Sequence, residues 1–300
     1  MARTRSAREF LLQILVNILV LAAIYALISC GFVLVYRVSR VLNLAHGELM
    51  TLGAYGLYST ASLFNGSPLV ALLAAAGLAV LVGVLVYLAL MRRMAGENVL
   101  AAVLTSIALG ILLQGFMLLV WSGQQQYPLR TLGWENISLP VGNARISAVA
   151  ITLVLTTATV YLGLFLFLGY TRWGIRMRAA GQNPLLAAQR GIRLHGVYAL
   201  AWGLSTFTGG LAGMLLACDS GLDQSMMVIG LKAFPAALVG GLDSLLGALV
   251  GSVVIATAEV MLIHYVDPLL ADVVPFLVLT AMLIVRPWGL FGTKEELDRV

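Results

Sequence analysis

The sequence predicts an all-α, polytopic membrane protein, and three observations support this fold class. Apolar residues make up 61% of the 300 residues, only 10% are charged, and the mean hydropathy is +0.98. Soluble proteins carry about 25% charged residues, so water is a poor solvent for a surface of this composition. Eight apolar segments approach or exceed the roughly 20 residues that a membrane-spanning helix needs: residues 10–36, 45–63, 69–91, 98–121, 147–170, 197–217, 230–263 and 269–286. We expect residues 1–300 to form a single transmembrane domain.

Two of the eight segments are irregular. Segment 45–63 carries His46 and Glu48 at its start, and segment 230–263 is too long for one helix and is interrupted by Gly-Gly-Leu-Asp-Ser at residues 240–244. Non-helical backbone at membrane depth is tolerated only where protein or a wet cavity surrounds it. The sequence therefore predicts about six full spans and two broken or re-entrant elements. Each irregular element has a polar entry and then a Gly-rich helix, which suggests an internal duplication.

The distribution of Lys and Arg indicates how the segments are oriented. Cytoplasmic loops are enriched in these residues, and 13 of the 18 Lys and Arg can be placed there together. This placement requires segments 45–63 and 230–263 each to enter and leave on one face. It leaves both termini in the cytoplasm and Arg37, Arg40 and Lys232 elsewhere. The cytoplasmic set is then Arg3, Arg5, Arg8, Arg92, Arg93, the five arginines of loop 171–196, Arg286, Lys294 and Arg299.

Loop 171–196 is a basic interruption of an otherwise apolar chain. Its arginines flank a short segment of helical composition, residues 183–190. Such a loop contributes nothing within the bilayer, so we expect it to be a docking surface for a soluble partner. The alternative is a basic loop that only fixes the topology. The five arginines are Arg172, Arg176, Arg178, Arg190 and Arg193.

Polar side chains near the start of segment 45–63 are candidates for a translocation path, because such groups face a bundle interior or a cavity. Asn43 can cap the helix that follows it. His46 and Glu48 lie two residues apart and point in different directions on a helix. Two interpretations stay open for this pair: hydrogen bonds that tie a broken helix together, or side chains that line the path.

Lys232, Asp243 and Glu259 form a second set of path candidates. A lone charge in lipid is costly. We expect Lys232 to extend towards a membrane face and Glu259, which lies in the middle of its segment, to pair inside the bundle. Gln13, Asn17 and Gln114 are also polar within segments, and we expect each to hydrogen-bond to another helix.

The sequence does not predict an enzyme. None of the three His residues lies in a zinc-binding H-E-x-x-H motif, and there is no G-x-S-x-G motif. No Gly-Lys dipeptide occurs, so the chain has no phosphate-binding loop, and any ATP used must be bound by another chain. Cys30 and Cys218 define neither a metal site nor a disulfide framework. The net charge of +5 resides in short loops and indicates topology rather than nucleic-acid binding.

Four stretches of the sequence resemble the integral-membrane permeases of branched-chain amino acid ABC importers, in particular the LivH-like subunit. Their order and spacing agree over nearly the whole chain. The stretches are V-L-N-L-A-H-G-E-L-M-T-L-G-A-Y at 41–55, G-I-R-M-R-A-A-G-Q-N-P-L-L-A-A-Q-R-G-I at 174–192, L-K-A-F-P-A-A-L-V-G-G-L-D-S-L-L-G-A-L-V-G at 231–251, and R-P-W-G-L-F-G at 286–292.

The resemblance implies a set of partners. Such a permease pairs with a second, LivM-like permease in the lipid of the bacterial inner (plasma) membrane. Two ABC ATPase subunits bind ATP and dock on the cytoplasmic side, and an extracytoplasmic substrate-binding protein delivers the substrate. The chain itself holds no cofactor. Segment 178–191 would enter a groove of an ATPase, where Leu185, Leu186 and Ala187 would pack and Arg176, Arg178 and Arg190 would meet acidic groups; Gln182, Asn183 and Gly191 belong to the same coupling loop.

The resemblance also implies a function: half of an alternating-access path for branched-chain or other small apolar amino acids. Two alternatives stay open, a self-powered transporter or channel for small polar or zwitterionic solutes and an ABC permease for urea or amides. Asp243 and Pro235 depart from the family's pattern. We expect Pro235 to kink or end a helix that starts near Lys232.

Overall fold

The computed structural model describes residues 2–64, 67–94, 99–141 and 144–292, with side chains from residue 10 onwards except those of 65–66, 95–98 and 141–144. Helices make up most of this part of the chain, which confirms the all-α prediction. The helices are α1 (Ala2–Ser39), α2 (His46–Leu63), α3 (Pro68–Val86), α4 (Arg92–Met94), α5 (Val99–Trp121), α6 (Pro128–Thr131), α7 (Ala148–Tyr170), α8 (Arg172–Gln182), α9 (Pro184–Gln189), α10 (Leu194–Ser220), α11 (Met226–Gly240), α12 (Leu245–Tyr265) and α13 (Val274–Val285).

Three smaller elements complete the described architecture. A π-helical turn, Tyr87–Met91, continues α3 into α4, and a 3₁₀ turn, Pro268–Leu270, precedes α13. Strands β1 (Ser138–Val141) and β2 (Ala144–Ser147) pair antiparallel in a hairpin between α6 and α7.

Six helical stretches of the described chain are long and apolar enough to cross a membrane. The predicted segment 230–263 is two helices, and only α12 is among the six, because α11 is shorter. Within the predicted span 269–286, only the twelve residues of α13 are α-helical. The six stretches are Phe10–Ser39, Pro68–Met94, Val99–Trp121, Ala148–Tyr170, Leu194–Ser220 and Leu245–Tyr265.

Glycine and proline shape the break in segment 230–263 differently from the expectation. Gly241 has φ +104°, a backbone conformation that glycine adopts without strain. Ser244 caps the start of α12, because its Oγ accepts a 3.0 Å hydrogen bond from the Gly247 N–H. Pro235 does not end α11, which starts earlier, at Met226, and continues through the proline to Gly240.

Contacts at the two ends of α1 define two faces of the helical bundle. Near its start, Gln13 Oε1 accepts a hydrogen bond of 3.3 Å from the backbone N–H of Arg145 in the β-hairpin. Just beyond its end, the Arg40 guanidinium donates to the Gly181 carbonyl of α8 at 3.4 Å. We call the two sides of the bundle the hairpin face and the loop face, after the β-hairpin and loop 171–196.

Helix α2 starts inside the bundle and leads to the hairpin face. Residues 40–45 fold back from the loop face, and the His46 ring Nε2 lies 3.1 Å from the Ile28 carbonyl oxygen, well inside α1. Near the other end of α2, Ser59 Oγ accepts a 2.8 Å hydrogen bond from Trp121 Nε1, where α5 reaches the hairpin face. Residues 40–45 are therefore the re-entrant part of the chain.

This path contradicts part of the predicted orientation. Segment 45–63 does not leave on the face where α1 ends, and segment 230–263 runs from the Gly47–Gly230 contact inside the bundle to the loop face as α11 and then to the hairpin face as α12. In consequence residue 10 lies on the hairpin face and residue 292, which is beside Gly241, lies on the loop face. The prediction that both ends of the chain lie on one face is therefore wrong for the described residues. Arg37 and Arg40 lie on the loop face. The side chains of five further basic residues lie outside the described part: Arg3, Arg5, Arg8, Lys294 and Arg299.

The helices repeat in an inverted order. Helices α1, α2, α3 and α5 run in directions opposite to those of α10, α11, α12 and α13, and α1 packs against α10 in the middle of the bundle. Inverted-topology repeats with discontinuous helices are common in transporters. The suggested internal duplication therefore has a structural counterpart.

The two short helices α2 and α11 cross at a pair of glycines. A Cβ atom added to Gly230 would lie 2.5 Å from the Gly47 Cα, and one added to Gly47 would lie 2.9 Å from the Met227 carbonyl oxygen. Glycine on both helices is therefore required for the backbones to approach this closely, as is common at helix contacts in lipid.

We predict that Gly230→Ala lowers the thermal stability of the purified protein. The new methyl group would have no space against Gly47, and overpacking of this kind costs about 1–3 kcal/mol. Thermal unfolding in detergent measures the effect. The matched control is Gly77→Ala on α3, where an added Cβ meets nothing within 4 Å and the helix should gain up to about 1 kcal/mol. Equal midpoints for the two variants would contradict the glycine contact.

Candidate functional site

Loop 171–196 consists of two short helices with capped N-termini. Thr171 Oγ1 accepts a 3.0 Å hydrogen bond from the Gly174 N–H at the start of α8. Asn183 Oδ1 accepts a 3.0 Å hydrogen bond from the Leu186 N–H at the start of α9, and Pro184 fits the first helical position. The expected short helix is present as α9. The sequence reasoning missed α8, although Thr171 was a usable N-cap signal.

The inner side of α8 is fixed to the ends of the membrane helices. Met177 and Ala180 are buried. A Cβ on Gly181 would collide with the Arg37 carbonyl oxygen of α1, and a Cβ on Gly174 would collide with the Phe167 carbonyl oxygen of α7. These are contacts between backbones, which side-chain rotation cannot relax. Helix α8 is therefore held rigidly at the loop face.

The outer side of α9 exposes two neighbouring leucines. Leu185 is 72% exposed and Leu186 is 53% exposed, whereas Ala187 is only 5% exposed. Ala187 therefore packs inside this chain, and the expectation that it enters a groove of a partner is not supported by its position. Leu185 and Leu186 form an apolar tip, which is costly to leave in water.

Exposed arginines of loop 171–196 share the loop face with this apolar tip. The Arg176 guanidinium lies 5.2 Å from the centre of the Trp173 ring, and Arg178 Nη2 donates to the Gly169 carbonyl at the end of α7 at 3.2 Å. Arg190 is exposed at the end of α9, where Gly191 has φ +81°. Of the nine residues predicted for the coupling loop, only Ala187 is buried; Gln182 and Asn183 are exposed with the rest. The surface combines positive charge with an apolar centre.

The structure places the six predicted path residues in three separate places. His46 is fully buried, and its ring lies 4.6 Å from the Phe32 ring. Its Nδ1 lies 3.5 Å from Ser205 Oγ of α10, and Gly31 and Gly209 leave room for the ring. This geometry fits the tying interpretation, since His46 joins the start of α2 to α1 and α10.

Asn43 and Glu48 have less complete surroundings. Asn43 Oδ1 accepts a hydrogen bond from the Ala45 N–H at 3.2 Å, but its buried Nδ2 has no hydrogen-bond partner among the described residues. The half-buried Glu48 carboxylate lies against Gly110 of α5, where an added Cβ would be 3.1 Å from it. No described Lys or Arg forms an ion pair with Glu48. These groups have capacity left for a polar ligand or water.

Lys232 and Glu259 form a buried ion pair between α11 and α12. The Lys232 Nζ lies 3.2 Å from Glu259 Oε1 and 2.5 Å from the exposed carboxylate of Asp272. Tyr25 of α1 donates a 2.6 Å hydrogen bond to Glu259 Oε2. Pairing of Glu259 inside the bundle was expected, and the largely buried Lys232 also reaches the exposed Asp272 carboxylate beyond the hairpin-face end of α12. No local sequence pattern marks Tyr25 as a partner of Glu259 or Asp272 as a partner of Lys232, because the partners lie far apart along the chain.

Asp243 belongs to the loop face. Its carboxylate accepts from Arg40 Nη1 at 2.7 Å, and Arg40 has φ +55°. This pair joins the end of α1 to the turn between α11 and α12, and Arg40 also reaches Gly181. Asp243 therefore lies next to the coupling helices and away from His46 and Glu259.

A cavity lies on each side of the bundle. On the hairpin face, a polar cavity of about 740 Å³ lies between α6 and the end of α10 and is lined by Arg130, Trp134 and Asp219. On the loop face, an apolar cavity of about 460 Å³ lies behind Pro184 and is lined by Tyr87 and Trp202 among others. The start of α2 lines neither cavity.

The fold and these sites define a class of protein. Six spanning helices, helices that begin inside the bundle and a rigid helical loop on one face are features of membrane transport proteins. In the described part of the chain, no group of three His, Cys, Asp or Glu residues is placed to hold a metal ion.

The chain belongs to the family described as "Branched-chain amino acid transport system / permease component", whose sequence pattern matches residues 14–283. It is therefore a transport permease and not an enzyme. The match confirms the resemblance that the four sequence stretches indicate.

Three relatives show the range of the similarity. The chain is 30% identical over 306 residues to the high-affinity branched-chain amino acid transport system permease protein LivH of Escherichia coli K12, covering 97% of this chain and 98% of that protein. It is 29% identical over 302 residues to BraD of Pseudomonas aeruginosa, covering 96% and 98%. It is 28% identical over 298 residues to the guanosine ABC transporter permease protein NupQ of Bacillus subtilis, covering 93% and 91%.

We predict that Lys232→Met strongly destabilises the protein, because it leaves the buried Glu259 carboxylate without its cation. Removing one partner of a buried pair costs about 3–5 kcal/mol, and thermal unfolding in detergent measures it. The double variant Lys232→Met with Glu259→Gln should recover part of the loss, since no charge is then left in the bundle. Asp272→Asn is the control and should have a small effect, because Asp272 is exposed. No difference between the single and double variants would contradict the pairing.

Proposed function

We propose that this chain is the membrane-spanning permease subunit of an ABC importer and forms half of a translocation path for branched-chain or other small apolar amino acids. The observation that carries the proposal is the exposed Leu185–Leu186 tip on two capped helices. Such a tip has a use only if a soluble partner covers it. Since the sequence has no phosphate-binding loop, we assign ATP binding to two separate ATPase subunits.

The loop is suited to transmit movement. A short helix in a groove is a common docking mode, and rigid-body movement is a common way to switch states. A push on α9 would reach α1 through the Gly181 contact and α7 through the Gly174 contact. The arginines around the tip would face acidic groups on the ATPase.

We assign the loop face to the cytoplasm. Basic side chains are concentrated there, as the positive-inside rule requires, whereas Arg130 and Arg145 lie on the hairpin face. The beginning of α1 is then extracytoplasmic. The described basic residues of the loop face are Arg37, Arg40, Arg92, Arg93, Arg172, Arg176, Arg178, Arg190, Arg193 and Arg286.

We assign Glu48 and Asn43 to the path, because they keep unused hydrogen-bonding capacity at the start of α2. The other candidates, His46, Lys232, Asp243 and Glu259, bind other parts of the bundle, and a structural role accounts for them. A second permease would supply the other half of the path, and an extracytoplasmic binding protein would select the substrate.

We predict that reconstituted vesicles take up leucine, isoleucine or valine only when the second permease, the ATPases, the binding protein and ATP are all present. ATP binding by partner chains is the physical reason. Uptake is measured with radiolabelled amino acids, and guanosine is the comparison substrate because of the relative NupQ. If guanosine is taken up and leucine, isoleucine and valine are not, the proposed substrate class is wrong. Uptake by this chain alone, driven by a proton or sodium gradient, would overturn the importer proposal.

We predict that Leu185→Asp with Leu186→Asp abolishes transport-coupled ATP hydrolysis and leaves the chain inserted, because charges at the tip cannot enter an apolar groove. The matched control, Gln189→Asp, adds charge to the same helix without removing an apolar group and should retain most of the activity. Arg178→Glu with Arg190→Glu should also uncouple hydrolysis. Normal coupling in both double variants would show that the loop only fixes the topology.

A further inference from the structure

Helix α5 is little covered by the rest of the described bundle and carries an amide side chain, Gln114, near its middle. It contacts α2 and the π-helical turn after α3, and most of its surface is exposed. Gln114 lies roughly 6 Å from the helix midpoint at 1.5 Å per residue. It is exposed and has no hydrogen-bond partner among the described residues. A carboxamide at this depth is unfavourable in lipid.

The outward-facing spans α3 and α7 do not carry such a group. Helix α3, Pro68–Val86, consists of apolar residues and glycine throughout. The exposed Thr152 and Thr159 of α7 each donate a hydrogen bond to their own helix backbone, at 2.9 and 2.8 Å. The faces of α3 and α7 are therefore compatible with lipid, whereas the Gln114 side of α5 is not.

Gln114 lies on the same side of α5 as the carboxylate of Glu48. Gly110 is four residues before Gln114, so the two share a face of the helix, and the Glu48 carboxylate lies against Gly110. Next to Glu48, Gly47 contacts Gly230 of α11. Glu48 and Gln114 are therefore the polar members of a strip that runs along the side of the bundle at membrane depth.

We infer that this strip, formed by Gln114 and Ile111 of α5 with Glu48 of α2, is the surface that faces the second permease and forms this chain's wall of the translocation path. The occupant is a second polytopic chain of the same fold, because only protein or a wet cavity between two proteins satisfies an amide and a carboxylate at this depth. Gly115 next to Gln114 has open space around it, which lets a partner helix approach closely. The inference rests on the proposed function.

Photo-crosslinking in the assembled importer tests the surface. Cys30 and Cys218 are replaced by Ala, and one cysteine bearing a benzophenone maleimide is placed at Ile111, which is 67% exposed. Matched positions are Leu81 of α3, 52% exposed, and Leu162 of α7, 61% exposed. We expect an adduct with a second permease chain, identified by mass spectrometry, to form several-fold more from position 111 than from 81 or 162. A lipid-only adduct at 111, or equal protein adducts at 81 or 162, would overturn the inference.

A functional variant tests whether the strip is wet. Gln114→Leu should lower ATP-driven uptake several-fold while the two permeases still co-purify, and Gln114→Asn should retain most uptake. A lipid-facing Gln114 would instead give normal uptake in the leucine variant, which would overturn the assignment. If either test fails while uptake still depends on ATP, the inference about this surface is overturned but the importer proposal stands. Loss of ATP dependence in the unmodified chain is the separate result that removes the importer proposal.

Discussion

The contact between Gly47 and Gly230 is the constraint on which the rest of the bundle depends. Two helices that start inside the protein, α2 and α11, bring their backbones together there, and neither position 47 nor position 230 has room for a side chain. Because α2 is fixed at this crossing, His46 can reach both α1 and α10, and Glu48 is directed towards α5. The same crossing relates the two inverted halves, since it joins equivalent helices of each.

Polar groups in the bundle follow a single rule of charge and hydrogen-bond balance. Lys232, Glu259 and Tyr25 satisfy one another inside the bundle, with the exposed Asp272 as a further partner of Lys232, and Arg40 and Asp243 do so at the loop face. Glu48, Asn43 and Gln114 keep unused hydrogen-bonding capacity, as do the buried Tyr55 hydroxyl and the Gln224 amide nitrogen. Under the proposed function, Glu48 and Gln114 would meet water or a partner chain rather than another side chain of this protein.

Sequence reasoning predicted the features that depend on local pattern. The fold class, the break at residues 240–244 and the short helix α9 all follow from hydropathy, glycine and capping residues. The predicted orientation of α1 was wrong because the positive-inside rule was applied to segments whose paths the sequence does not show. Residues 40–45 fold back before α2 begins, and α11 starts inside the bundle and ends at the turn at 240–244.

The partners of the polar residues could not be predicted for a different reason. Tyr25 and Glu259 are 234 residues apart in the sequence, and nothing local marks such a pair. The expectation that Lys232 extends towards a membrane face named no partner, whereas the structure gives it two carboxylates, those of Glu259 and the exposed Asp272. The burial of Ala187 between two exposed leucine neighbours likewise depends on how α9 packs.

The attachment of α8 has a mechanical consequence. Side-chain contacts absorb small displacements by changing rotamer, whereas Gly181 and Gly174 meet carbonyl groups of α1 and α7 with no side chain between them. The joint between loop and membrane helices therefore has little compliance. We therefore expect a small displacement of α8 to reach α1 and α7 with little loss, so that the loop face acts as a stiff lever rather than as a flexible linker.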